Sequence, residues 1–166
     1  MHGLVAELYP ICRSITGEGL RQTLGILQRE TGLALMSVPS GTAVLDWTIP
    51  REWNIRDAWI ANARGERVVD FRRSNLHVVS YGEPVRASMS LAELRPHLHA
   101  VPEHPEWIPY RTSYYSRSWG FCLAQRHLDE LEEDEYEVVI DSTLEPGSLT
   151  YGECFLPGER EDEVLL

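Results

Sequence analysis

Three histidines, His97, His99 and His104, fall close together, with Glu103 and Glu106 beside them. Neutral imidazoles and carboxylates are the ligands a zinc ion prefers. The spacing works against a shared metal. In a His-x-His pair the two side chains point to opposite sides of a strand and diverge on a helix. Pro96, Pro102, Pro105 and Pro109 surround the group, which reads as an exposed loop rather than a central strand. Surface histidines are the simpler reading, so the sequence assigns no metal ligand and no catalytic residue.

A second group is richer. Tyr110, Tyr114, Tyr115 and Trp119 flank Arg111 and Arg117. Aromatic faces and a guanidinium can wall a pocket, the aromatic rings taking a substrate side chain and the arginine a carboxylate. The same residues suit the core and rim of a β-sandwich, because Tyr and Trp join an apolar body to a polar tip. These six are the candidate substrate-binding residues.

Other constellations carry two readings each. Residues 13–19, Arg-Ser-Ile-Thr-Gly-Glu-Gly, combine a helix start with two glycines, and free amides there can hold an anion. An ordinary capped helix, with Arg13 bonded locally, has the same pattern. Asp70, Ser74 and His77 invite comparison with a catalytic triad. On a strand, however, His77 has the opposite parity to the other two, and no nucleophile elbow is present. Cys122 lies in the apolar run Gly120-Phe121-Cys122-Leu123 and reads as buried and inert. The acidic run at 129–135 reads as a solvated helix end.

Composition bounds the function classes. The chain has 166 residues and a net charge of −11, and all fifteen of its basic residues are arginine. That balance argues against nucleic acid, which needs clustered cations, and against anionic membrane surfaces. No apolar run is long enough to span a bilayer, and the first residues lack the basic start of a signal peptide. Three well-separated cysteines suggest neither a disulfide framework nor a zinc knuckle. A reducing cytoplasm is the expected compartment.

The elements that must position these groups follow from periodicity. Leu4, Leu8 and Ile11 mark a short helix that Pro10 disturbs. Thr16 reads as the N-cap of a second helix carrying Leu20, Leu24 and Leu27, with Gly32 as its C-cap. Strands are expected over 33–38, 55–61, 67–71, 76–81, 110–115, 119–123, 136–141 and 148–155, with hairpin residues at 62–66. Ser90 and Glu93 form a capping box, and a helix is expected over 125–135. Trp47, Trp53 and Trp59 are expected to pack within the β-rich middle.

Five segments resemble one bacterial family: LYPICRSITGEGLRQTL (8–24), VPSGTAVLDWTIPREWNIRDAWI (38–60), DFRRSNLHVVSYGEPV (70–85), IPYRTSYYSRSWGFCL (108–123) and IDSTLEPGSLTYGECFLPGE (140–159). The family comprises polysaccharide-biosynthesis-associated proteins with an aminopeptidase-like domain. It is similar to zinc aminopeptidases of clan MH with an inserted domain of unknown function. The resemblance implies an α/β fold: a partial aminopeptidase-like layer from residues 1–44 and 148–166, with a β-rich domain inserted at 45–147. It implies zinc for the complete family, with ligands supplied after the strand matching 163–166, so that this chain alone binds none. The implied reaction is hydrolysis of a peptide or related amide, the insert shaping the cleft. The alternative is a non-catalytic module that binds a partner chain. Strands 33–38, 149–155 and 163–166 are expected in one sheet against the second helix. The apolar edge they leave predicts a homo-oligomer or an edge shared with another protein chain.

Overall fold

The computed structural model describes residues 2–114 and 116–158. Two helices open the chain, α1 (His2–Leu8) and α2 (Glu18–Thr31). They are followed by β1 (Ala34–Pro39) and a small hairpin of β2 (Ala43–Val44) and β3 (Trp47–Thr48). Next come β4 (Glu52–Ala61), β5 (Arg67–Asp70), β6 (Val85–Ser90), α3 (Leu91–Leu94) and β7 (Leu98–His99). The chain continues through β8 (Phe121–Cys122), α4 (Gln125–Asp129), β9 (Glu135–Glu145) and β10 (Ser148–Glu153). The protein is thus a mixture of helices and sheets, as expected of an α/β chain. Among the described residues, no helix is long and apolar enough to cross a membrane.

The core forms on an antiparallel sheet of strand order β5-β4-β9-β6. β9 alternates: Tyr136, Val138, Ile140 and Ser142 are buried, whereas Glu135 and Glu137 are exposed. A strand with one buried face requires that period of two. Across the ladder, Ile60 pairs with Val138 and Ala58 with Ile140. Onto this face pack Leu91 and Leu94 of α3, Leu98 of β7, Phe121 of β8, and Leu123. Ser90 caps α3 with the expected capping box. Turn residues set the β4–β5 register. Asn62 Oδ1 accepts the Arg64 and Glu66 amides, and Gly65 supplies the positive φ of 77°.

The opposite face of the sheet is charged. Arg67 lies between Asp57 and Asp70, 3.4 Å from each, and its guanidinium is 4.9 Å above the Trp59 ring. Arg72 reaches Asp57 at 3.0 Å, and Arg56 pairs with Asp141. Trp59 thus supports the charged face and Trp53 is buried, but Trp47 is exposed on its hairpin, contrary to expectation. A two-residue strand pair has too little surface to cover an indole.

An early and a late strand meet outside this sheet. β1 pairs antiparallel with β10 over six residues, from Ala34↔Glu153 to Pro39↔Ser148, and α2 packs against both. Gly32 ends α2 in the left-handed conformation expected of a C-cap, its amide bonded to the Gln28 carbonyl. The third strand expected in this layer, at 163–166, lies outside the described residues.

Several local expectations are corrected. The N-cap of α2 is Gly17, not Thr16. The Thr16 hydroxyl instead accepts the Trp53 amide at 3.0 Å, so a tertiary bond outcompetes the local cap. Residues 76–81 begin as a 3-10 turn and make only single bridges, at Val78 and Ser80. Residues 110–115 form no strand among those described; Thr112 makes one isolated bridge to Ser80. The helix at 125 stops at Asp129, because the acidic residues beyond it repel one another and cannot extend it favourably.

Candidate functional site

The loop around residues 111–113 is held against Ser80 and Tyr81 by hydrogen bonds. The Ser80 amide donates to the Arg111 carbonyl at 2.8 Å, and the Ser113 amide to the Ser80 carbonyl at 3.0 Å. Ser113 Oγ donates to the Tyr81 carbonyl at 2.8 Å. The loop can therefore lie flat without forming a strand, its backbone groups satisfied by a neighbouring segment.

Tyr81 organises the local aromatic groups. Its backbone has a positive φ of 66°, a rare and strained conformation for a bulky residue. Its hydroxyl bonds the Arg51 carbonyl, and its ring lies 6.5 Å from Trp53 and 5.9 Å, edge-on, from Tyr114. The Trp53 indole N–H and Ser142 Oγ both donate to the Gly82 carbonyl, at 2.9 and 3.0 Å. Three segments distant in sequence, at 51–53, 113–114 and 142, thus hold Tyr81 and Gly82 in place.

The six candidate substrate residues are only partly brought together. Tyr110 and Tyr114 join hydroxyl to hydroxyl at 2.9 Å. Burial, then the bond to Tyr114, pushes the Tyr110 phenol up to about 12. Tyr114 and Arg117 line a recess of 210 Å³ with Tyr81, Glu83, Ser113 and Leu144. Arg117 bonds Glu83 at 2.6 Å, although its side chain is 89% exposed. Arg111 is exposed and Trp119 stands apart, stacked on His97 at 3.6 Å and packed against the core. Tyr115 lies outside the described residues. Tyr81, Glu83 and Ser113 went unnoticed in the sequence, where no motif marks them.

A second concavity lies where α2 begins. It has a volume of 460 Å³ and is bounded by the 10–16 loop, the first turn of α2, the start of β4 and Phe71. Two glycines allow the close approach. A Cβ on Gly17 would meet the Trp53 carbonyl at 2.0 Å, and one on Gly19 the Cys12 carbonyl at 1.9 Å. Asn54 Oδ1 accepts the Glu18 amide at 2.7 Å. Arg13 bonds the Leu8 carbonyl at 2.8 Å, closing the end of α1. Beside the cleft, Glu52 receives Arg21 bidentately, at 2.7 and 3.0 Å, and the Ser148 amide at 3.1 Å. The Arg21 guanidinium is the main reason the Glu52 carboxyl is held down at about 2.

The histidines and the triad-like set do different work. His97 Nδ1 lies 3.2 Å from the Trp119 carbonyl, and His104 stacks on Trp107 at 3.8 Å. His77 Nδ1 meets the Cys122 carbonyl at 2.8 Å, and burial pushes its pKa down. Ser74 accepts the Leu76 amide, and Asp70 accepts the Arg72 amide, so neither engages His77. Cys122 is fully buried, which raises its thiol to about 11. Among the described residues, no three His, Cys, Asp or Glu side chains converge in a group that could hold a metal ion. The described residues therefore offer no ligand set that fits a zinc site.

Comparison with known proteins adds a family context. The family model described as "Domain of unknown function (DUF2172)" matches residues 52–143. All 166 residues align at 55% identity with a protein of Clostridium acetobutylicum named "Putative polysaccharide biosynthesis protein with aminopeptidase-like domain". The chain spans 38% of that relative's length. A crystal structure described as a putative peptidase from Clostridium acetobutylicum superimposes with a TM-score of 0.88 at 56% identity. The match covers 91% of this chain and 36% of that one.

Proposed function

This chain belongs to the DUF2172 family, and from that premise we propose that it is part of a peptidase-like hydrolase acting on an N-terminal peptide bond or a related amide. The observation that carries the reading is its likeness to a chain described as a peptidase, in both sequence and backbone. In this reading residues 1–44 and 148–166 belong to an aminopeptidase-like layer, and residues 45–147 are an inserted domain beside the substrate cleft. The pairing of β1 with β10 around the four-stranded sheet supports that division. Zinc, the metal this chemistry calls for, would be held by parts of a longer protein that this chain does not cover. A bound zinc would polarise the scissile carbonyl and activate water.

The recess at Tyr114 and Arg117 is the contribution we assign to this chain. Tyr110 and Tyr114 offer hydroxyls and ring faces, and Arg117 offers a guanidinium for a substrate carboxylate. The test is hydrolysis of unblocked dipeptides, which carry the free carboxylate that Arg117 would hold, by the full product of the gene that encodes this chain. Tyr114→Ala and Arg117→Ala should each raise KM about tenfold and leave kcat within about twofold, the mark of lost binding rather than lost chemistry. An unchanged KM in both variants removes the assignment of the recess. No hydrolysis by the full product removes the enzyme reading.

The second reading is a non-catalytic module that binds a partner chain. It is favoured by Met36 and Tyr151, which sit opposite each other on β1 and β10 and are both exposed. An exposed apolar pair on the open face of a ribbon is a ready contact for another chain.

A further inference from the structure

The recess beside Tyr114 is edged by an ion pair that is only partly engaged. Arg21 and Arg56 each bond a carboxylate through two nitrogens. Arg117 bonds Glu83 through Nε alone, at 2.6 Å, and its Nη groups donate no hydrogen bond among the described residues. Glu83 in turn uses Oε1, and its Oε2 accepts no hydrogen bond among those residues. A guanidinium is a planar fork whose Nη edge matches a carboxylate. One ion pair thus carries both a free donor edge and a free acceptor oxygen.

The two partners are held differently. The Glu83 amide donates to the Ser118 carbonyl at 3.0 Å, and the preceding carbonyl, of Gly82, is bonded by Trp53 and Ser142. The Glu83 side chain is 26% exposed, whereas that of Arg117 is 89% exposed. Glu83 is therefore the fixed member, and it holds the longer guanidinium at the rim of the recess. Ordering a long side chain before a ligand arrives lowers the entropy that binding would otherwise cost.

Size and charge narrow the ligand. The recess has a volume of 210 Å³, below the roughly 300–1,000 Å³ of sites that enclose a drug-sized molecule. It suits one amino-acid residue rather than a whole peptide. Tyr81, Tyr114 and Leu144 supply apolar surface for a side chain. Tyr81 offers only its ring, because its hydroxyl is bonded to the Arg51 carbonyl. A carboxylate taken alone leaves Glu83 facing a second negative charge, in a chain of net charge −11. A zwitterion answers both partners.

We propose that the recess binds a free α-amino acid with an apolar side chain, its carboxylate on the Nη edge of Arg117 and its α-ammonium on Glu83 Oε2. Its place in the reaction rests on the peptidase reading. When a dipeptide is hydrolysed, the hydroxyl of water goes to the acyl carbon. The leaving nitrogen gains two protons, one from water and one that the new acid sheds. The carboxyl-terminal residue is thereby released as a zwitterion, and its new α-ammonium is the group that Glu83 holds.

The experiment titrates leucine into the 15N-labelled 166-residue chain and follows amide shifts. Saturable shifts centred on Glu83, Tyr114 and Arg117, with a Kd of about 1 mM, are expected. N-acetyl-leucine lacks the ammonium, leucinamide the carboxylate and glycine the side chain, so each should bind about tenfold more weakly. Glu83→Gln should weaken leucine about tenfold and leave N-acetyl-leucine unchanged. Arg117→Ala should weaken leucine about tenfold and leave leucinamide unchanged. A merely structural role for the pair would weaken every ligand alike. Ion pairs with an exposed partner add little to stability, so neither variant should shift the β9 amides. The proposal is overturned by the absence of a saturable shift, by any of the three analogues binding as tightly as leucine, or by full leucine affinity in either variant. Leucine binding without dipeptide hydrolysis by the full gene product would remove the peptidase reading and keep the binding site. Hydrolysis without leucine binding would do the reverse.

Discussion

The four-stranded sheet and the β1–β10 ribbon are built from the same kinds of residue, yet they are finished to different degrees. On the sheet, Phe121, Leu91, Leu94, Leu123 and Val138 are completely buried, and a dozen side chains form one continuous core. On the ribbon, Thr150 is the one described strand residue that is buried, and Met36 and Tyr151 face solvent. α2 buries only Thr23 and Ile26. A two-stranded ribbon with a half-covered helix lacks the apolar area to hold itself together. What holds it is polar: Thr16 to the Trp53 amide, Asn54 to the Glu18 amide, and Arg21 with Ser148 on Glu52. The comparison teaches that one region gains its stability from packing and the other borrows it across a hydrogen-bonded junction.

The largest expected effect tests the packed region. Phe121→Ala should destabilise the chain by about 3–5 kcal/mol, because its neighbours in β7 and α3 cannot collapse into the space. Urea unfolding measures this; a loss below about 1 kcal/mol would mean that the core is not the rigid partner in the comparison.

The junction should respond to pH. The Glu52 carboxyl is lowered from 4.5 to about 2, so its contribution is complete above about 4.5 and fades as pH falls toward about 2. The pair is partly screened on the Arg21 side, so about 2 kcal/mol is expected to be lost across that window. Glu52→Gln should flatten the pH dependence there. Hydrogen exchange sharpens the point: in acid, α2 and β10 amides should lose protection before those of β9. Simultaneous loss in all three would show that the two regions unfold as one.

The smallest effect belongs to the ribbon's open face. Met36→Ser and Tyr151→Ser should each change stability by less than about 0.5 kcal/mol, as for surface positions. If the ribbon is a docking face for another chain, Tyr151→Ser should instead reduce self-association or partner binding, which sedimentation of the variant would register.

Much of the packed region was legible in order of residues. β4, β5, β9 and β10 announce themselves by β-branched and aromatic runs, and the capping box at Ser90 and Glu93 by its spacing. These signals survive because each is local and agrees with the final fold. β6 was missed: Val85-Arg86-Ala87-Ser88-Met89-Ser90 has weak apolar alternation and becomes a strand only because β9 offers it a ladder. Residues 110–115 were misread for the converse reason. Their aromatic content suggests a strand, but the Arg111 carbonyl and Ser113 amide bond residue 80 from a loop, and the Ser113 hydroxyl bonds the Tyr81 carbonyl.

The candidate sites show the same division. The pattern at residues 13–19 was visible as a helix start with glycines, and the tyrosines and arginines at 110–117 stood out only as candidates by residue type. Sequence alone also determined the charge balance, the caps at Gly32 and Ser90 and the family likeness, since all of these reside in residue type and spacing along the chain. Only the tertiary structure decided that Thr16 serves Trp53 rather than its own helix, that Trp119 stacks on His97, and that Ser14 is buried with its hydroxyl unpaired. It also decided that Tyr81, with no motif around it, becomes the post on which Trp53 and Tyr114 lean. The reason is physical: a buried donor or acceptor seeks the nearest partner in space, and that partner is set by how distant segments pack rather than by its neighbours in the chain.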